Sequence, residues 1–267
     1  MKTNLNLLKY INCQLRAKVL PIIGTPKAGE TIGRGAGGDK TKYIDKLTED
    51  SVLNILRKYR IPCTVVSEEQ GIVDILGGSS ETYFIIDSID GTNNALRDIP
   101  FFALSIAIAD GPKLSRVHTS LVSNFKHSEV FTAEKGKGAR HNGYPITPSN
   151  ITKIKEALLV INSSPVREIP PKMLALIKRT QHTRRFGSIA LELCYVASGK
   201  VDGLIDLRQR IRFTDIAASF LIIKEARGCI VDGKGNYLDS SAVTLKKRIS
   251  FIASGNKLLL KKMEDIL

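Results

Sequence analysis

The segment from Tyr83 to Asn94 places the strongest constraint on how this chain folds. It reads Tyr-Phe-Ile-Ile-Asp-Ser-Ile-Asp-Gly-Thr-Asn-Asn, so an apolar run leads into Asp87 and Asp90 and then into Gly91-Thr92. The run predicts a strand that delivers Asp87 at its carboxyl end, and a turn that brings Asp90 to the same side. Carboxylates suit hard divalent cations, and free amides at the next segment suit an anion. The segment therefore predicts a metal site beside a phosphate site.

Two further acidic segments have a similar form. A short β-branched run, Thr64 to Ser67, ends at Glu68 and Glu69. Downstream, Thr214 is the expected N-cap of an apolar helix and Asp215 lies in its first turn. Each acid taken singly is more simply explained as a turn residue, a solvated strand end or a helix-dipole acid. The three segments together favour one shared metal site.

The order of these segments resembles the inositol monophosphatase family. That family lies within the larger group of Mg²⁺-dependent, lithium-sensitive sugar-phosphate phosphatases, which includes the fructose-1,6-bisphosphatases. The family usually has Pro, Trp and Gly where this chain has Ser88, Thr214 and Ser219, and none of these three is a metal ligand. The likeness covers about residues 38 to 235, in the segments 38–45, 68–69, 87–94, 187–203 and 214–218.

The resemblance implies two Mg²⁺ ions bridged by Asp87, and in this family a third, weaker ion can bind near Glu68. The first ion takes Glu68, Asp87 and the backbone carbonyl of Ile89. The second ion takes Asp87, Asp90 and Asp215. Two ions held in this way activate a water and stabilise the leaving oxygen of a phosphate ester.

The resemblance also implies catalytic and phosphate-binding roles. Thr92 lies beside the attacking water, Asp45 completes its hydrogen-bond chain, and Glu68 supports catalysis as a ligand. The amides of Gly91 and Thr92 hold the phosphate. The role of Glu69 stays open between support of the ligands and a surface position.

The substrate's alcohol part is less well constrained. Asp206 matches an acid that binds a substrate hydroxyl in inositol phosphatases, and Gly187 and Ser188 belong to the same expected pocket. Arg184 and Arg185 precede them and are candidates for a second phosphate. A second set of arginines alternates just before Asp215 and would lie on one side of an extended segment: Arg208, Arg210 and Arg212.

Several functions remain open on this evidence. The leading ones are a monophosphatase for inositol or a similar polyol and a fructose-1,6-bisphosphatase, which one enzyme could combine. A 3′-phosphoadenosine nucleotide phosphatase is an alternative, although no adenine pocket can be located. A non-catalytic phosphate- or nucleic-acid-binding protein is the rival from another class, and the full set of acids and Thr92 argues against it.

Composition limits the partners. The net charge of +14 favours anions, but basic residues occur in every segment, and the cluster Lys246 to Arg248 has no interleaved aromatic residues for base stacking, which disfavours nucleic acid. No apolar run reaches the length of a membrane span, and the N-terminus lacks a signal-peptide pattern, so a cytoplasmic location is expected. The four cysteines are expected to be buried free thiols. The resemblance favours a homodimer.

Strand and helix patterns alternate along the second half of the chain and predict a layered α+β protein. The resemblance implies a five-layer α-β-α-β-α sandwich, with an N-terminal half over 1–145, a C-terminal half over 146–267 and the active site between them. A glycine-rich segment, 24–38, is expected to be a mobile loop or loose hairpin and is a candidate lid. Helices are predicted over 3–20, 41–60, 170–179, 188–198 and 214–226. Strands are predicted over 63–67, 82–87, 101–109, 115–122, 128–133, 157–162, 182–186, 202–206 and 229–231.

Overall fold

The computed structural model describes residues 4–78, 81–163 and 169–267. An N-terminal helix begins after Asn4, whose side chain accepts from the amides of Asn6 and Leu7 and so caps the first turn. A short hairpin and a second helix follow. These elements are α1 (Leu5–Val19), β1 (Thr31–Arg34), β2 (Lys40–Lys42) and α2 (Tyr43–Lys58), with 3₁₀ turns at Leu20–Ile22 and Pro26–Gly29.

The larger sheet has eight strands. Its strands are β3 (Cys63–Ser67), β4 (Gly71–Ile75), β5 (Tyr83–Asp90), β6 (Ala103–Ala109), β7 (Val117–Asn124), β8 (Val130–Glu134), β9 (Ala139–His141) and β10 (Tyr144–Pro145). A short helix, α3 (Thr92–Leu96), follows β5, and a 3₁₀ turn at Leu114–Arg116 precedes β7. The order is β10-β9-β8-β7-β6-β5-β3-β4. Among the described strand pairs of this sheet, β3 and β5 are parallel and the others are antiparallel. The carboxyl ends of β3 and β5 therefore lie at the same edge of the sheet.

The smaller sheet has five strands. The strands and helices of this region are β11 (Leu158–Asn162), α4 (Pro171–Arg179), β12 (His182–Arg184), α5 (Ile189–Ala197), β13 (Gly203–Ile211), α6 (Phe213–Glu225), β14 (Cys229–Asp232), β15 (Ile249–Ser254) and α7 (Lys257–Glu264). The strand order is β12-β11-β13-β15-β14. β11 pairs in parallel with β12 and β13, and β15 runs antiparallel to both of its neighbours.

The elements stack as α-β-α-β-α, and the expected five-layer sandwich is confirmed. Helices α1 and α2 pack on one face of the larger sheet, α5 and α6 lie between the two sheets, and α7 packs outside the smaller sheet together with α4. Three apolar clusters fill the spaces between layers. Consecutive residues of β5 point to opposite faces of the larger sheet. Phe84 lies in the cluster beneath α1 and α2, and Ile85 lies in the central cluster between the sheets. Because both faces are buried, the strand has an unbroken apolar run.

The central cluster joins both parts of the chain. It contains Val122 and Phe131 from the larger sheet together with Phe213 and Phe251 from the C-terminal part. The strands of the larger sheet end at Pro145 and those of the smaller one begin at Leu158. The division into halves at 145–146 stays a prediction.

Several local predictions need correction. The helix predicted from Thr41 begins at Tyr43, because residues 40–42 pair with β1, and the glycine-rich segment forms the hairpin alternative. The strand β4 and the C-terminal pair β15 and α7 were not predicted. Of the cysteines, Cys63 and Cys194 are buried, but Cys13 is exposed and Cys229 is half-buried; all four are free thiols. Across the described ranges, no helix is both long and apolar enough to cross a membrane.

Candidate active site

A bulge at the end of β5 brings Asp87 and Asp90 together. Asp87 pairs with Ser105 and Asp90 with Ala103, so β5 has one more residue than β6 between these two pairs. Residues three apart on a regular strand face opposite sides, and the extra residue reverses this for Asp90. The strand itself therefore runs through Asp90, whereas the sequence predicted a turn after Asp87. Both side chains are largely buried.

Glu68 lies in the tight turn between β3 and β4. The carboxylate of Glu49, on α2, accepts hydrogen bonds from this turn. The buried carboxylate of Glu49 accepts from the Ser67 hydroxyl at 2.6 Å and from the amides of Glu69 and Gln70 at 3.2 and 2.8 Å. Three donors on one carboxylate fix the path of the turn. Glu49 was not predicted, because its contacts join segments that are distant in the sequence.

Helix α6 supplies Asp215. The predicted N-cap, Thr214, is wrong: the helix begins at Phe213, and Thr214 lies inside the first turn and is fully buried. Asp215 instead accepts the backbone amide of Arg212 at 2.9 Å, which fixes its carboxylate at the helix start. One carboxylate oxygen each from Glu68, Asp87 and Asp215 lie within 4.8 Å of one another. Three of the predicted ligands thus meet.

Burial and mutual repulsion raise the pKa values of the carboxyl groups in and beside this cluster. Burial, reinforced by Asp215, raises the pKa of Glu68 to about 8, although Arg212 opposes the shift. Burial and then the charge of Asp90 raise the pKa of Asp87 well above its usual range. Burial raises the pKa of Asp90 to about 7, against the hydrogen bond from Ser188, and it also raises the pKa of Asp215. The protein's own cations only partly compensate these carboxylates.

This donor set fits hard divalent cations. All three clustered groups are carboxylates, the ligand type that Mg²⁺ prefers, and no His or Cys joins them among the described residues. A doubly charged ion would stabilise the ionised forms that burial and mutual repulsion disfavour. When bound, such ions polarise a phosphoryl oxygen and acidify a water.

Asp90 also connects β5 to helix α5. Its Oδ2 accepts from the Ser188 hydroxyl and from the Ala190 amide, both at 2.6 Å. These donors lie at the start of α5, where unpaired amides and the helix dipole favour a negative charge. Ser188, a predicted substrate-binding residue, is fully buried and contacts Asp90.

Thr92 and Asp45 lie in contact beside the acids. The Thr92 hydroxyl is 3.1 Å from Asp45 Oδ1 and 3.1 Å from the carbonyl oxygen of Ile89, so it donates inward to one of them. Its oxygen lone pairs remain able to accept from a water. Burial and then the charge of Glu69 raise the pKa of Asp45 to about 7. Ser88, where the family usually has Pro, bonds the carbonyl of Asp45 at 3.2 Å.

Two glycines meet where the turn after β5 approaches α5. Gly91 has φ +93° and directly precedes α3, and a Cβ there would lie 3.0 Å from the carbonyl oxygen of Gly187. Gly187 has φ +92°, and a Cβ there would lie 3.1 Å from Asn94 Nδ2. Asn94 ties the two loops by donating to the carbonyls of Phe101 and Phe186, both at 2.7 Å. Side chains at either glycine would separate these loops.

The glycine-rich hairpin touches the same region. The amides of Ala36 and Gly37 donate to the carbonyls of Glu69 and Glu68 at 2.9 and 2.8 Å. Thr41 donates to the Glu69 carboxylate, which therefore faces the site. A cavity of about 270 Å³ lies between the hairpin and β5, and its lining includes Asp39, Lys40, Asp45, Glu68, Asp87 and Thr92.

Three of the predicted substrate residues, Asp206, Arg184 and Arg185, are not among the residues that line that cavity. Asp206 is fully buried and its carboxylate is ion-paired with Arg208. Arg184 and Arg185 are exposed, at and just beyond the end of β12. Their roles toward a substrate stay predictions.

The expectation that Arg208, Arg210 and Arg212 share one side is wrong. Arg208 is half-buried against Asp206, Arg210 is exposed and Arg212 is buried. The regular alternation breaks because Gln209 has φ +55° and the pairing of β13 with β15 shifts register after Asp206.

The sandwich, with its acids at the edge where β3 and β5 end, defines a metal-dependent phosphatase. Residues 8–266 match the model of the inositol monophosphatase family. The chain belongs to the inositol monophosphatase family and is a phosphoric monoester hydrolase.

Individual relatives agree with this assignment. The chain is 36% identical over 264 residues to a fructose-1,6-bisphosphatase/inositol-1-monophosphatase of Methanothermobacter thermautotrophicus, covering 95% of this chain and 92% of that one. It is 33% identical to a bifunctional NADP phosphatase/NAD kinase of Methanococcus maripaludis, covering 94% of this chain but 47% of the relative. A solved inositol monophosphatase-fructose 1,6-bisphosphatase superposes with a TM-score of 0.89 at 31% identity, over 100% of both chains.

Proposed function

We propose that this protein hydrolyses small sugar or polyol phosphates, with inositol 1-phosphate, fructose 1,6-bisphosphate or both as substrates. The observation that carries the proposal is the meeting of Glu68, Asp87 and Asp215 within 4.8 Å, next to the paired Thr92 and Asp45. The names of the archaeal relatives support the same substrate class.

In the proposed mechanism, Glu68, Asp87 and the carbonyl of Ile89 would hold one Mg²⁺, and Asp87, Asp90 and Asp215 would hold the second. A third, weaker ion near Glu68 belongs to the same proposal. When bound, such ions would lower the pKa of a water and stabilise the charge of the leaving alkoxide.

The chain's own groups position the reactants. The Thr92 hydroxyl donates toward Asp45 and accepts from the attacking water, which aims a water lone pair at phosphorus. Asp45 receives the proton that the water sheds by way of the Thr92 hydroxyl, and the burial that raises the pKa of this carboxyl above its usual range favours its accepting that proton. The amides of Gly91 and Thr92 at the start of α3 donate to the phosphoryl oxygens.

The test is phosphate release from a panel of inositol 1-phosphate, fructose 1,6-bisphosphate and NADP, each with Mg²⁺ and with excess chelator. We expect release from the first two substrates, loss of release in chelator and recovery on adding Mg²⁺. Undiminished turnover in chelator would overturn the two-metal mechanism. Preferential turnover of NADP would favour the second candidate, a nucleotide phosphatase, for which the Methanococcus relative is the supporting observation.

The assembly and location expected from the sequence also remain proposals. We propose a homodimer, and sedimentation equilibrium of the purified chain tests it through the mass of the species in solution. The cytoplasmic location is kept as a prediction, which cell fractionation tests. A role in binding nucleic acid is disfavoured because the charge is spread over every segment.

A further inference from the structure

Arg212 lies between the acids of the site and the tip of the glycine-rich hairpin. Its Nη1 is 2.8 Å from Glu68 Oε1, and its Nη2 contacts the carboxylate of Asp39 on the hairpin. A Cβ on Gly37 would lie 3.1 Å from both Nε and Nη2 of Arg212. The guanidinium is therefore packed against hairpin backbone on one side and bonded to a predicted metal ligand on the other.

The Arg212 side chain is buried, but not all of its N–H groups donate a hydrogen bond to a described residue. Arg212 is 8% exposed, whereas the Asp39 side chain that it contacts is 72% exposed. Among the described residues, its Nε has no hydrogen-bond partner. A buried donor without an acceptor is costly, and the guanidinium has an N–H that its two carboxylate partners leave unbonded.

We propose that Arg212 is the internal counter-ion of the metal centre, that it competes with the divalent cation for Glu68 and that it thereby sets the metal concentration at which the site loads. The proposal rests on the metal site described under the proposed function. In this role Arg212 does not bind the metal itself but affects how readily Glu68 binds it.

The competition follows from charge and geometry. Oxygen Oε1 of Glu68 cannot accept a guanidinium N–H at 2.8 Å and give its full charge to a metal ion at the same time. A positive charge fixed beside the acids also repels an incoming cation through a partly buried, weakly screened environment. Removing the guanidinium therefore tightens metal binding, while a purely structural role predicts that its removal loosens the site and weakens binding.

The hairpin is connected to the same exchange. When Glu68 turns to a metal, Arg212 keeps Asp39 as its partner, and the backbone of Gly37 stays bonded to Arg248 through its carbonyl at 2.8 Å. The hairpin tip thus remains bonded to the C-terminal part, and to the backbone of Glu68 through the Gly37 amide, while the side-chain contact between Arg212 and Glu68 changes. Arg212 links metal loading to the hairpin through its contact with Asp39.

The experiment is a Mn²⁺ titration of the full chain, with free Mn²⁺ counted by electron paramagnetic resonance. For Arg212→Gln we expect binding about tenfold tighter than in the wild type, from the loss of one nearby positive charge. We also expect a lower melting temperature in chelator and a larger rise on adding Mn²⁺. Arg212→Lys keeps the charge and should bind within about threefold of the wild type. Arg210→Gln, two positions away and exposed, is the matched control and should leave binding unchanged.

Weaker or unchanged Mn²⁺ binding in a folded Arg212→Gln protein would overturn the proposal. If that variant does not fold, wild-type protein labelled with ¹⁵N-arginine gives the answer, with the Arg212 Nε signal assigned by its absence in Arg212→Lys. A shift of that signal on saturation with Mg²⁺ supports the exchange, and an unmoved signal rejects it.

These outcomes are separable from failure of the proposed function. If the wild type binds no Mn²⁺ and releases no phosphate, the two-metal mechanism itself is wrong. If the wild type binds metal and hydrolyses phosphate esters but Arg212→Gln does not bind more tightly, only the counter-ion role is lost.

Discussion

Asp90 Oδ2 accepts the amide of Ala190 at 2.6 Å, so a predicted metal ligand on β5 also caps helix α5. Their contact fixes the start of α5, which lies between the two sheets, against the end of β5 in the larger sheet. One carboxylate oxygen is occupied by this cap and the Ser188 hydroxyl, which leaves Oδ1 for a cation. The cap and the ligand role are therefore compatible in one side chain.

Asp90→Asn should separate the two roles. The amide oxygen of Asn can still accept at the helix start, but the ligand charge is lost, so we expect phosphate release to fall by several orders of magnitude while circular dichroism stays native. Asp265→Asn, an exposed acid just beyond α7, is the control. A native Asp90→Asn protein within tenfold of the wild-type rate would show that Asp90 is not a ligand.

Thr92→Ala should lower the turnover number by about a hundredfold or more, with a smaller change in the Michaelis constant, because a group that orients the attacking water acts mainly in the transition state. Thr92→Ser keeps the hydroxyl and should recover most of the rate. Steady-state kinetics on inositol 1-phosphate provide the measurement. An effect confined to the Michaelis constant would reassign Thr92 to ground-state phosphate binding.

Metal stabilisation should grow with pH. Folding raises the pKa of Glu68 to about 8 and those of Asp45 and Asp90 to about 7, above the values of about 4 expected in the unfolded chain. Between about pH 4 and pH 8, the folded metal-free protein thus binds more protons than the unfolded chain. Its free energy of unfolding therefore falls as pH rises over this range. Because Mg²⁺ displaces these protons, the rise in melting temperature on adding Mg²⁺ should be small at pH 5 and large at pH 8. A rise independent of pH would contradict this.

Glu49→Ala should damage both stability and metal binding. It leaves the Ser67 hydroxyl and the amides of Glu69 and Gln70 without their acceptor, so we expect the free energy of unfolding to fall by about 3 kcal/mol. Metal affinity should fall as well, because the turn that carries Glu68 loses its support. Chemical denaturation and Mn²⁺ titration measure the two effects, with the exposed Glu156→Ala as control. Unchanged affinity would mean that the turn holds its shape without Glu49.

Replacing Arg184 or Arg185 tests whether these residues distinguish the two leading substrates. If either binds a distal phosphate, its replacement by Ala should reduce the catalytic efficiency on fructose 1,6-bisphosphate by the equivalent of about 1.5–3 kcal/mol and leave inositol 1-phosphate nearly unaffected. Arg179→Ala, also exposed and at the end of α4, controls for general charge. Equal losses on both substrates would assign these arginines to the common site or the fold.

The acids could be predicted from sequence because each carries a local signal. Glu68 and Asp87 follow apolar strands, and Asp215 opens an apolar helix, so their types and positions are visible in the chain. The bulge that aligns Asp90 with Asp87 could not be predicted, because it depends on how β5 pairs with β6.

Residues that act across the fold were missed for a similar reason. Glu49 and Asn94 make their contacts with segments distant in the chain, and Arg212 faces Glu68 only after α6 packs against the larger sheet. The C-terminal helix α7 did carry a signal: Asn256 caps it, and Leu259, Leu260 and Met263 have helical spacing and are buried. The alternating positions of Arg208, Arg210 and Arg212 predicted one shared side, but the positive φ of Gln209 interrupts the extended backbone between them.

The cluster of Glu68, Asp87 and Asp215 draws on both ends of the chain, since β3 forms near the start and α6 near the end. An ion held there would join residues that are far apart in the chain, and because its ligands meet only in the fold, it would stabilise the folded form by mass action. During synthesis, the first two acids emerge well before the third. The three acids therefore cannot meet in a growing chain until α6 has been made and has packed.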